Sequence, residues 1–144
     1  MSYQEIVEEL LGATAASRTT LRLERSDGGF PVVAEALAPG IRAIRNDTLI
    51  DVRATPTFAF FERERRTLVV PDCLDSDPPT PQALIDVYGV RAEILEPLVR
   101  EGRIVGIVSV HYAPGPRQWT DGDLAALRAA AARVLEELEL SAPC

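Results

Sequence analysis

The alternation of apolar and polar residues predicts five β-strands. Between Thr19 and Arg25, polar residues alternate with Leu21 and Leu23, which therefore fall on one face, as in a half-buried strand. Similar patterns predict further strands at 30–37, 67–70, 90–99 and 104–112. Glycine-containing turns join the first two strands and the last two, so that each pair is predicted to form a β-hairpin.

Capping boxes predict a helix near each end of the chain. A Ser-x-x-Glu box opens the first helix, which is predicted over residues 2–11 with Gly12 as its stop. A Thr-x-x-Asp box opens a longer helix near 121–139. Apolar residues recur along this helix at intervals of three and four, as on one amphipathic face: Leu124, Leu127, Ala131, Val134 and Leu138.

Shorter helices are predicted between the strands. Residues 38–53 show a mixed pattern and are expected to be irregular, with at most a short helix. Thr55-Pro56 then has the residues of a helix start, with threonine as the cap and proline at the first helical position. One or two helical turns are expected at 82–88. The order of elements predicts an α+β fold, in which an antiparallel sheet has helices on its faces.

The composition is that of an ordinary globular protein. With 144 residues, of which 47% are apolar and 26% charged, residues 1–144 are expected to form one domain. The net charge of −7 disfavours binding to nucleic acid or anionic membranes, which are themselves negative. No apolar run approaches the ~18 residues of a membrane span, and the N-terminus does not resemble a secretion signal. We therefore expect a cytoplasmic protein.

Few residues suit metal binding or disulfide formation. The two cysteines, Cys73 and Cys144, are too few for a disulfide framework or a structural zinc site. Asp72, Asp75 and Asp77 lack the register and the closing carboxylate of a calcium loop, so they are expected to cap a turn or to be solvated. No metal site is predicted.

His111 is the only histidine, so any catalytic triad would have to use it. It lies two residues after Ser109 on a predicted strand, where such side chains stand about 6.5–7 Å apart, too far for a nucleophile–base hydrogen bond. Both residues are expected to share a face with Val105 and Ile107. The favoured interpretation is a strand-end histidine with a satisfied ring; a pocket wall, a catalytic base and a haem ligand are the alternatives. No catalytic residue is predicted.

Four motifs follow one another along the chain. They are TLVVPD at 67–72, YGVRAEIL at 88–95 followed by Pro97-Leu98, GIVSVH at 106–111, and RQWTxxDL at 117–124. In this order and spacing they resemble the GAF family of small-molecule sensing domains, especially single-domain forms from bacteria. The resemblance extends from about Ile6 to Leu138.

The resemblance implies both an architecture and a site. A central antiparallel sheet of five or six strands would carry the terminal helices on one face, and crossover helices and loops would cover a ligand pocket on the other. Family members bind cyclic nucleotides, bilins, haem or amino-acid-like metabolites. The motifs of the cyclic-nucleotide and bilin binders are missing here, so the ligand and any cofactor stay unidentified. The residues expected at the pocket are Phe58, Phe61, Asp72, Arg91, Ser109 and His111.

Four arginines lie in and after the predicted crossover: Arg42, Arg45, Arg53 and Arg91. Solvated surface positions are the favoured interpretation. An arginine that pointed inward would bind a carboxylate or phosphate, so that the ligand could be anionic. Arg91 also shares a predicted strand face with Glu93, which is compatible with an ion pair.

The function favoured by the sequence is a non-enzymatic, small-molecule-binding sensory or regulatory module. One alternative is a thiol-based enzyme of the free methionine sulfoxide reductase type. It would use Cys73 in an exposed loop, with Cys144 as its only partner thiol. Another is an interaction module whose pocket is vestigial. A homodimer through the terminal helices is expected, unless the stripe of the last helix is used entirely against the chain's own sheet.

Overall fold

Helices cover one face of a five-stranded antiparallel sheet, and short helices and loops cover the other. The computed structural model describes residues 1–141. The helices are α1 (Tyr3–Thr14), α2 (Pro56–Glu64), α3 (Gln82–Asp86) and α4 (Asp121–Ser141), with a 3-10 turn at Val52–Ala54. The strands are β1 (Arg18–Leu23), β2 (Val32–Leu37), β3 (Leu68–Val70), β4 (Ala92–Arg100) and β5 (Arg103–Tyr112). Their order in the sheet is β2-β1-β5-β4-β3.

Two apolar clusters hold these layers together. On one face, α1 and α4 pack against each other and against the sheet through residues that include Ile6, Leu21 and Leu127. On the other face, α2, α3 and the segment between β2 and α2 pack against the sheet around Phe61 and Ile107. The predicted α+β architecture, with terminal helices on one face and crossover elements on the other, is confirmed. No helix in residues 1–141 has the length and apolar character needed to cross a membrane.

The first helix runs one turn further than predicted. Gly12 does not stop it, because α1 continues to Thr14 and ends where Ala15 adopts a left-handed conformation with φ 49°. The Thr14 hydroxyl donates a 2.9 Å hydrogen bond to the carbonyl of Leu10. A glycine inside a helix costs only about 0.5–1 kcal/mol relative to alanine, which the burial of Ile6 and Leu10 against the sheet offsets.

The expected alternation along β5 is interrupted at Val105. The pairing of β5 with β4 shifts register there, since Leu98 faces Gly106 and Val99 faces Ile104. Val105 is therefore the extra residue of a bulge, and its side chain packs on the helical face rather than beside Ile107 as predicted. Gly106 is required at this point because an added Cβ would lie 2.5 Å from the carbonyl oxygen of Arg22.

The apolar stripe of α4 contacts the chain's own core. Leu127 and Val134 have 0% exposure, and Ala131 is also buried. Leu124 and Leu138 are partly buried and pack against the same cluster. This arrangement matches the competing interpretation, in which the stripe is used against the sheet. A dimer through these helices stays a prediction.

Candidate functional site

A row of polar side chains crosses the three central strands near one end of the sheet. Arg18 on β1 is paired in register with His111 on β5, and His111 is paired with Glu93 on β4. Cross-strand partners project from the same face of a sheet, here the face covered by the crossover elements. All three are buried, with exposures of 1%, 4% and 2% respectively. Buried charged groups in a row are costly, so each requires a partner.

Arg18 is satisfied by acceptors from four parts of the fold. Its Nη1 is 3.0 Å from Nδ1 of His111. Its other nitrogens donate to the carbonyl oxygens of Arg42 and Tyr88. The Glu35 carboxylate on β2 lies 4.0 Å from its Nε and provides the compensating negative charge. Arg18 thereby connects the sheet to the crossover segment.

His111 is held as a neutral imidazole with a defined tautomer. A guanidinium only donates hydrogen bonds, so Nδ1 of His111 must accept from Arg18 and the ring proton must be on Nε2. Burial, together with the positive charges of Arg18 and Arg22, lowers the pKa of His111 well below its usual value. The Nε2 atom faces Oε1 of Glu93 at 3.8 Å, which is too long for a hydrogen bond.

Glu93, unlike Arg18, lacks a partner of opposite charge within residues 1–141. Its Oε1 is buried and has no hydrogen-bond partner among these residues. Its Oε2 lies 3.8 Å from Sγ of Cys73, a weak donor. Burial raises the pKa of Glu93 to about 7, even though contacts with Cys73 and Thr80 favour the ionised form. Near neutral pH this carboxyl is therefore poised between its two protonation states.

A cavity lies against Glu93 and His111 of this row and continues along the sheet. Its floor is formed by side chains of β1, β4 and β5: Thr20, Arg22, Glu93, Leu95, Ile107, Ser109 and His111. Its roof comes from the crossover segment and helices: Ile50, Val52, Thr55, Thr57, Pro81 and Leu84. The cavity volume is about 40 Å³, enough for a few water molecules at the ~10–15 Å³ that each requires.

Two of the predicted site residues, Ser109 and His111, line this cavity. Phe58 and Phe61 are buried in the apolar cluster on the same side of the sheet, and neither lies among the lining residues identified within 1–141. The ring of Phe58 packs on that of Phe30, with centroids 5.3 Å apart. Ser109 and His111 therefore line the cavity, whereas the rings of Phe58 and Phe61 belong to the apolar cluster and do not line it.

Asp72 and Arg91 also lie away from the cavity. The Asp72 carboxylate accepts a 3.0 Å hydrogen bond from the amide of Leu74, the turn-capping role that was expected of it. Arg91 precedes β4, and its Nε is buried without a partner among the described residues. Within residues 1–141, Arg91 and Glu93 do not form the ion pair that their shared strand face had suggested.

The three remaining arginines of the predicted crossover also make their contacts away from the cavity. Arg42 lies over the Tyr88 ring, Arg45 donates to the carbonyl of Val33, and Arg53 pairs with Glu24. Within residues 1–141, the arginine that lines the cavity is Arg22, whose Nη1 donates to the carbonyl of Phe30 at 2.8 Å.

Cys73 is not exposed, contrary to the sequence-based expectation. Its thiol is 4% exposed and lies against the Glu93 carboxyl at the end of β3. Burial and the nearby negative charge of Glu93 raise the pKa of Cys73 to about 12. The protein therefore carries a protonated thiol here, whereas thiol exchange requires a thiolate. Cys144, its predicted partner, lies outside the described residues.

Sequence reasoning missed Arg18, Thr20 and Glu93. The polar residues that alternate with leucine on β1 indicate that one face of the strand is polar, and such a face is ordinarily solvated. Only the tertiary structure shows that the crossover segment covers this face and buries it.

Comparison with known proteins gives a consistent family and fold. The family model described as GAF domain matches residues 2–138. No curated protein matches the chain. A structure of the cyanobacteriochrome receptor PixJ is 24% identical, with a TM-score of 0.77, and the match covers 94% of this chain and 93% of that one. The blue-light-absorbing form of the PixJ GAF domain from Thermosynechococcus elongatus is 22% identical, with a TM-score of 0.68 and coverage of 98% and 92%.

A third similar structure contains a ligand. It is the far-red-absorbing dark state of JSC1_58120g3 with bound biliverdin IXa, which is 15% identical, with a TM-score of 0.71 and coverage of 94% and 86%. At these identities the structural matches establish a shared fold.

Proposed function

This chain belongs to the GAF domain family, and we propose that it is a non-enzymatic sensory module that binds a small molecule in the cavity above β1, β4 and β5. The observation that carries this proposal is the unpartnered, buried Oε1 of Glu93 beside a cavity. The large majority of buried side-chain polar atoms in native proteins are hydrogen-bonded. An exception at a cavity wall therefore supports a site whose partner is a ligand.

The chemistry of the cavity wall also supports binding. The wall includes apolar residues such as Val52, Leu84 and Leu95, together with the hydroxyls of Thr20 and Ser109. A mostly apolar wall with a few polar groups is the usual composition of a small-molecule pocket. A wall that served only as core would be apolar throughout, since buried hydroxyls cost free energy without partners.

The arrangement of His111 argues against catalysis. Its Nδ1 accepts from Arg18, and its Nε2 carries the proton. Neither nitrogen is then free to accept a proton from Ser109, as a nucleophile–base pair would require. The protonated state of the Cys73 thiol likewise argues against the alternative of a thiol-based reductase.

A covalently attached bilin does not fit the residues that are present. Cys73 is the single cysteine among residues 1–141, and it is buried behind Glu93 rather than in the cavity wall. Its high pKa keeps it in the unreactive thiol form. The cavity of about 40 Å³ is also far below the roughly 300–1,000 Å³ of pockets for larger ligands. The ligand must therefore be small, or the roof must move outward.

The small cavity favours one other candidate, an interaction module whose pocket is vestigial. The two hypotheses differ in whether anything binds above Ser109. Thr57 is half-buried in the cavity roof on α2, whereas Ala59 on the same helix is exposed. Thr57→Trp would block the cavity, and Ala59→Trp would add the same bulk without reaching it.

We suggest native mass spectrometry of the three proteins after incubation with a mixture of small polar metabolites. The proposal expects a bound mass on the wild type and on Ala59→Trp, and its loss from Thr57→Trp. Equal binding by all three variants would place the ligand elsewhere. No bound mass on any of them would support the vestigial pocket.

A further inference from the structure

We propose that the ligand of this cavity carries a protonated nitrogen, such as a primary ammonium or an amidinium group, and that the Glu93 carboxylate binds it. This inference rests on the proposed function and specifies the chemistry of the same site. It differs from the anionic ligand that the crossover arginines suggested, because none of those arginines is among the cavity-lining residues within 1–141.

The distribution of buried charge supports a cation. The positive charge of Arg18 is compensated by Glu35, whose Oε2 lies 4.0 Å from Nε of Arg18. His111 separates Arg18 from Glu93 in the row and is neutral. An ionised Glu93 would then have no compensating cation within the described residues. A buried charge is tolerated when it is paired, so a ligand cation would supply what the protein lacks.

Protein groups surround the Glu93 side chain on every side except the one that faces the cavity. Cys73 and Thr80 lie against it from the segment that follows β3. His111 faces it from β5 at 3.8 Å, and Arg91, two residues earlier, makes no ion pair with it in residues 1–141. The remaining side is the cavity, where Arg22 on β1 is the charged residue of the far wall. Glu93 lines the cavity and its Oε1 has no partner among these residues, so a cation entering from the cavity would approach this carboxyl group.

Hydroxyl groups on the cavity floor suit the same ligand. Thr20 and Ser109 are paired in register on β1 and β5, one step along the sheet from His111, and both line the cavity. An ammonium group has three N–H donors and no acceptor. The Glu93 carboxylate, with the Ser109 hydroxyl on the neighbouring strand, therefore offers acceptors for these donors, and Thr20 lies one strand further along the cavity floor. A carboxylate or phosphate in the same place would be repelled by ionised Glu93.

Binding of a cation should be linked to proton release. The pKa of Glu93 is raised to about 7 by burial, so the free site is largely protonated below that pH. A cation binds the ionised form, and the displaced proton passes to solvent. Affinity should therefore be about tenfold weaker at pH 6 than at pH 8, because only about one site in ten is ionised at the lower pH.

The test uses n-propylammonium chloride as the probe, with sodium propionate and n-propanol as chain-length-matched controls. Backbone amide shifts of Ser109 and Leu95 in a two-dimensional ¹H–¹⁵N NMR spectrum report on the cavity. So small a ligand is expected to bind in the millimolar range. We expect n-propylammonium to shift these amides more strongly at pH 8 than at pH 6, and the two controls to have little effect.

Glu93→Gln and Glu96→Gln form a matched pair on β4. Glu96 lies three residues further along and pairs in register with Val108, so it projects from the helical face. Glu93→Gln should weaken n-propylammonium binding at least tenfold and abolish its pH dependence, and Glu96→Gln should keep both. If Glu93→Gln does not fold, the pH dependence of the wild type decides alone.

Two results would overturn the proposal, and they are distinguishable. If propionate or n-propanol shifts the cavity amides while n-propylammonium does not, the cavity binds small molecules but the ligand class is wrong. If none of the three probes shifts them, the cation proposal fails. If the metabolite mixture also leaves no bound mass, the proposed binding function fails with it.

Discussion

The guanidinium of Arg18 donates a 3.0 Å hydrogen bond to Nδ1 of His111 on the neighbouring strand. This contact fixes the imidazole tautomer, because Nδ1 can accept only when the proton is on Nε2. The same positive charge opposes protonation of the ring and contributes to the lowered pKa of His111. Burial and a neighbouring positive charge thus together keep a titratable residue neutral at the cavity wall.

Removal of Arg18 should destabilise the fold strongly. Arg18→Met would leave Nδ1 of His111 and the carbonyl of Arg42 without a donor, and it would leave Glu35 without its cation. Breaking a buried ion pair by removing one partner costs about 3–5 kcal/mol, and we expect a loss of that size in urea unfolding. Arg45→Met is the control, since Arg45 is exposed and donates to one carbonyl. Similar stabilities of the two variants would contradict the role assigned to Arg18.

Glu93→Gln should change how stability depends on pH. The pKa of Glu93 rises from 4.5 to about 7 on folding, so its contribution to stability is complete below pH 4.5 and is lost as pH rises through 7. Glutamine cannot ionise. The free energy of unfolding of Glu93→Gln, relative to the wild type, should therefore increase by roughly 3 kcal/mol in total between pH 4.5 and pH 8.

The difference between the two proteins must be measured, rather than the wild-type curve alone. The lowered pKa of His111 acts in the opposite sense, because the unfolded chain binds a proton below about pH 6.5 that the folded chain excludes. The two effects partly cancel in the wild type. A difference in unfolding free energy that does not vary with pH would show that Glu93 is ionised and satisfied in the fold.

Alanine substitution should have opposite effects at two glycines. In Gly106→Ala the new Cβ would meet the Arg22 carbonyl at 2.5 Å, next to the bulge in β5, so we expect a loss of more than about 1 kcal/mol. In Gly12→Ala nothing lies within 4 Å of the new Cβ, and a gain of up to about 0.5–1 kcal/mol is expected in the last turn of α1. Thermal unfolding of both variants measures this. A tolerated Gly106→Ala would mean that the close strand contact can relax.

The Cys73 thiol should be unreactive in the native protein. With Cys144 replaced by serine, a chromogenic disulfide reagent at pH 8 should react only after unfolding, since Cys73 is buried and its pKa is about 12. Cys73→Ser should retain the fold and ligand binding. Rapid reaction of the folded protein would reopen the thiol-based alternative.

Glutamate substitutions on α4 separate core positions from a dimer interface. Leu127→Glu should unfold the chain, because Leu127 has 0% exposure and an unpaired buried charge costs several kcal/mol. Leu138 is partly buried near the helix end, and Leu138→Glu should fold. The predicted dimer requires that the wild type is dimeric in light scattering and that Leu138→Glu is monomeric. A wild type that is monomeric at high micromolar concentration would refute it.

The sequence was sufficient for the fold because its local signals agree with the tertiary structure. The Ser2–Glu5 capping box, the hairpin turn at Gly102 and the apolar stripe of α4 all predicted elements that form. The observed ends of an element differ from the predicted ones where tertiary packing outweighs a local signal. Burial of α1 against the sheet, for example, extends this helix beyond Gly12.

The site was harder to predict from the sequence than the fold. Ser109 and His111 were identified because the strand pattern of β5 places them together on one face. Arg18 and Glu93 were not, since the pairing of three strands that are distant in sequence creates their row. The exposure expected for Cys73 was wrong for a similar reason: a proline-rich segment after a strand end looks solvated until its packing against Glu93 is known.

Mapping where a small ligand binds on the folded wild-type protein tests the proposed cavity site most directly. Backbone amide shifts measured against a set of small polar compounds of positive, neutral and negative charge would provide this map. We expect shifts clustered at Thr20, Leu95, Ser109 and His111, which belong to the cavity floor. Shifts confined to the surfaces of α1 and α4, or none with any compound, would contradict it.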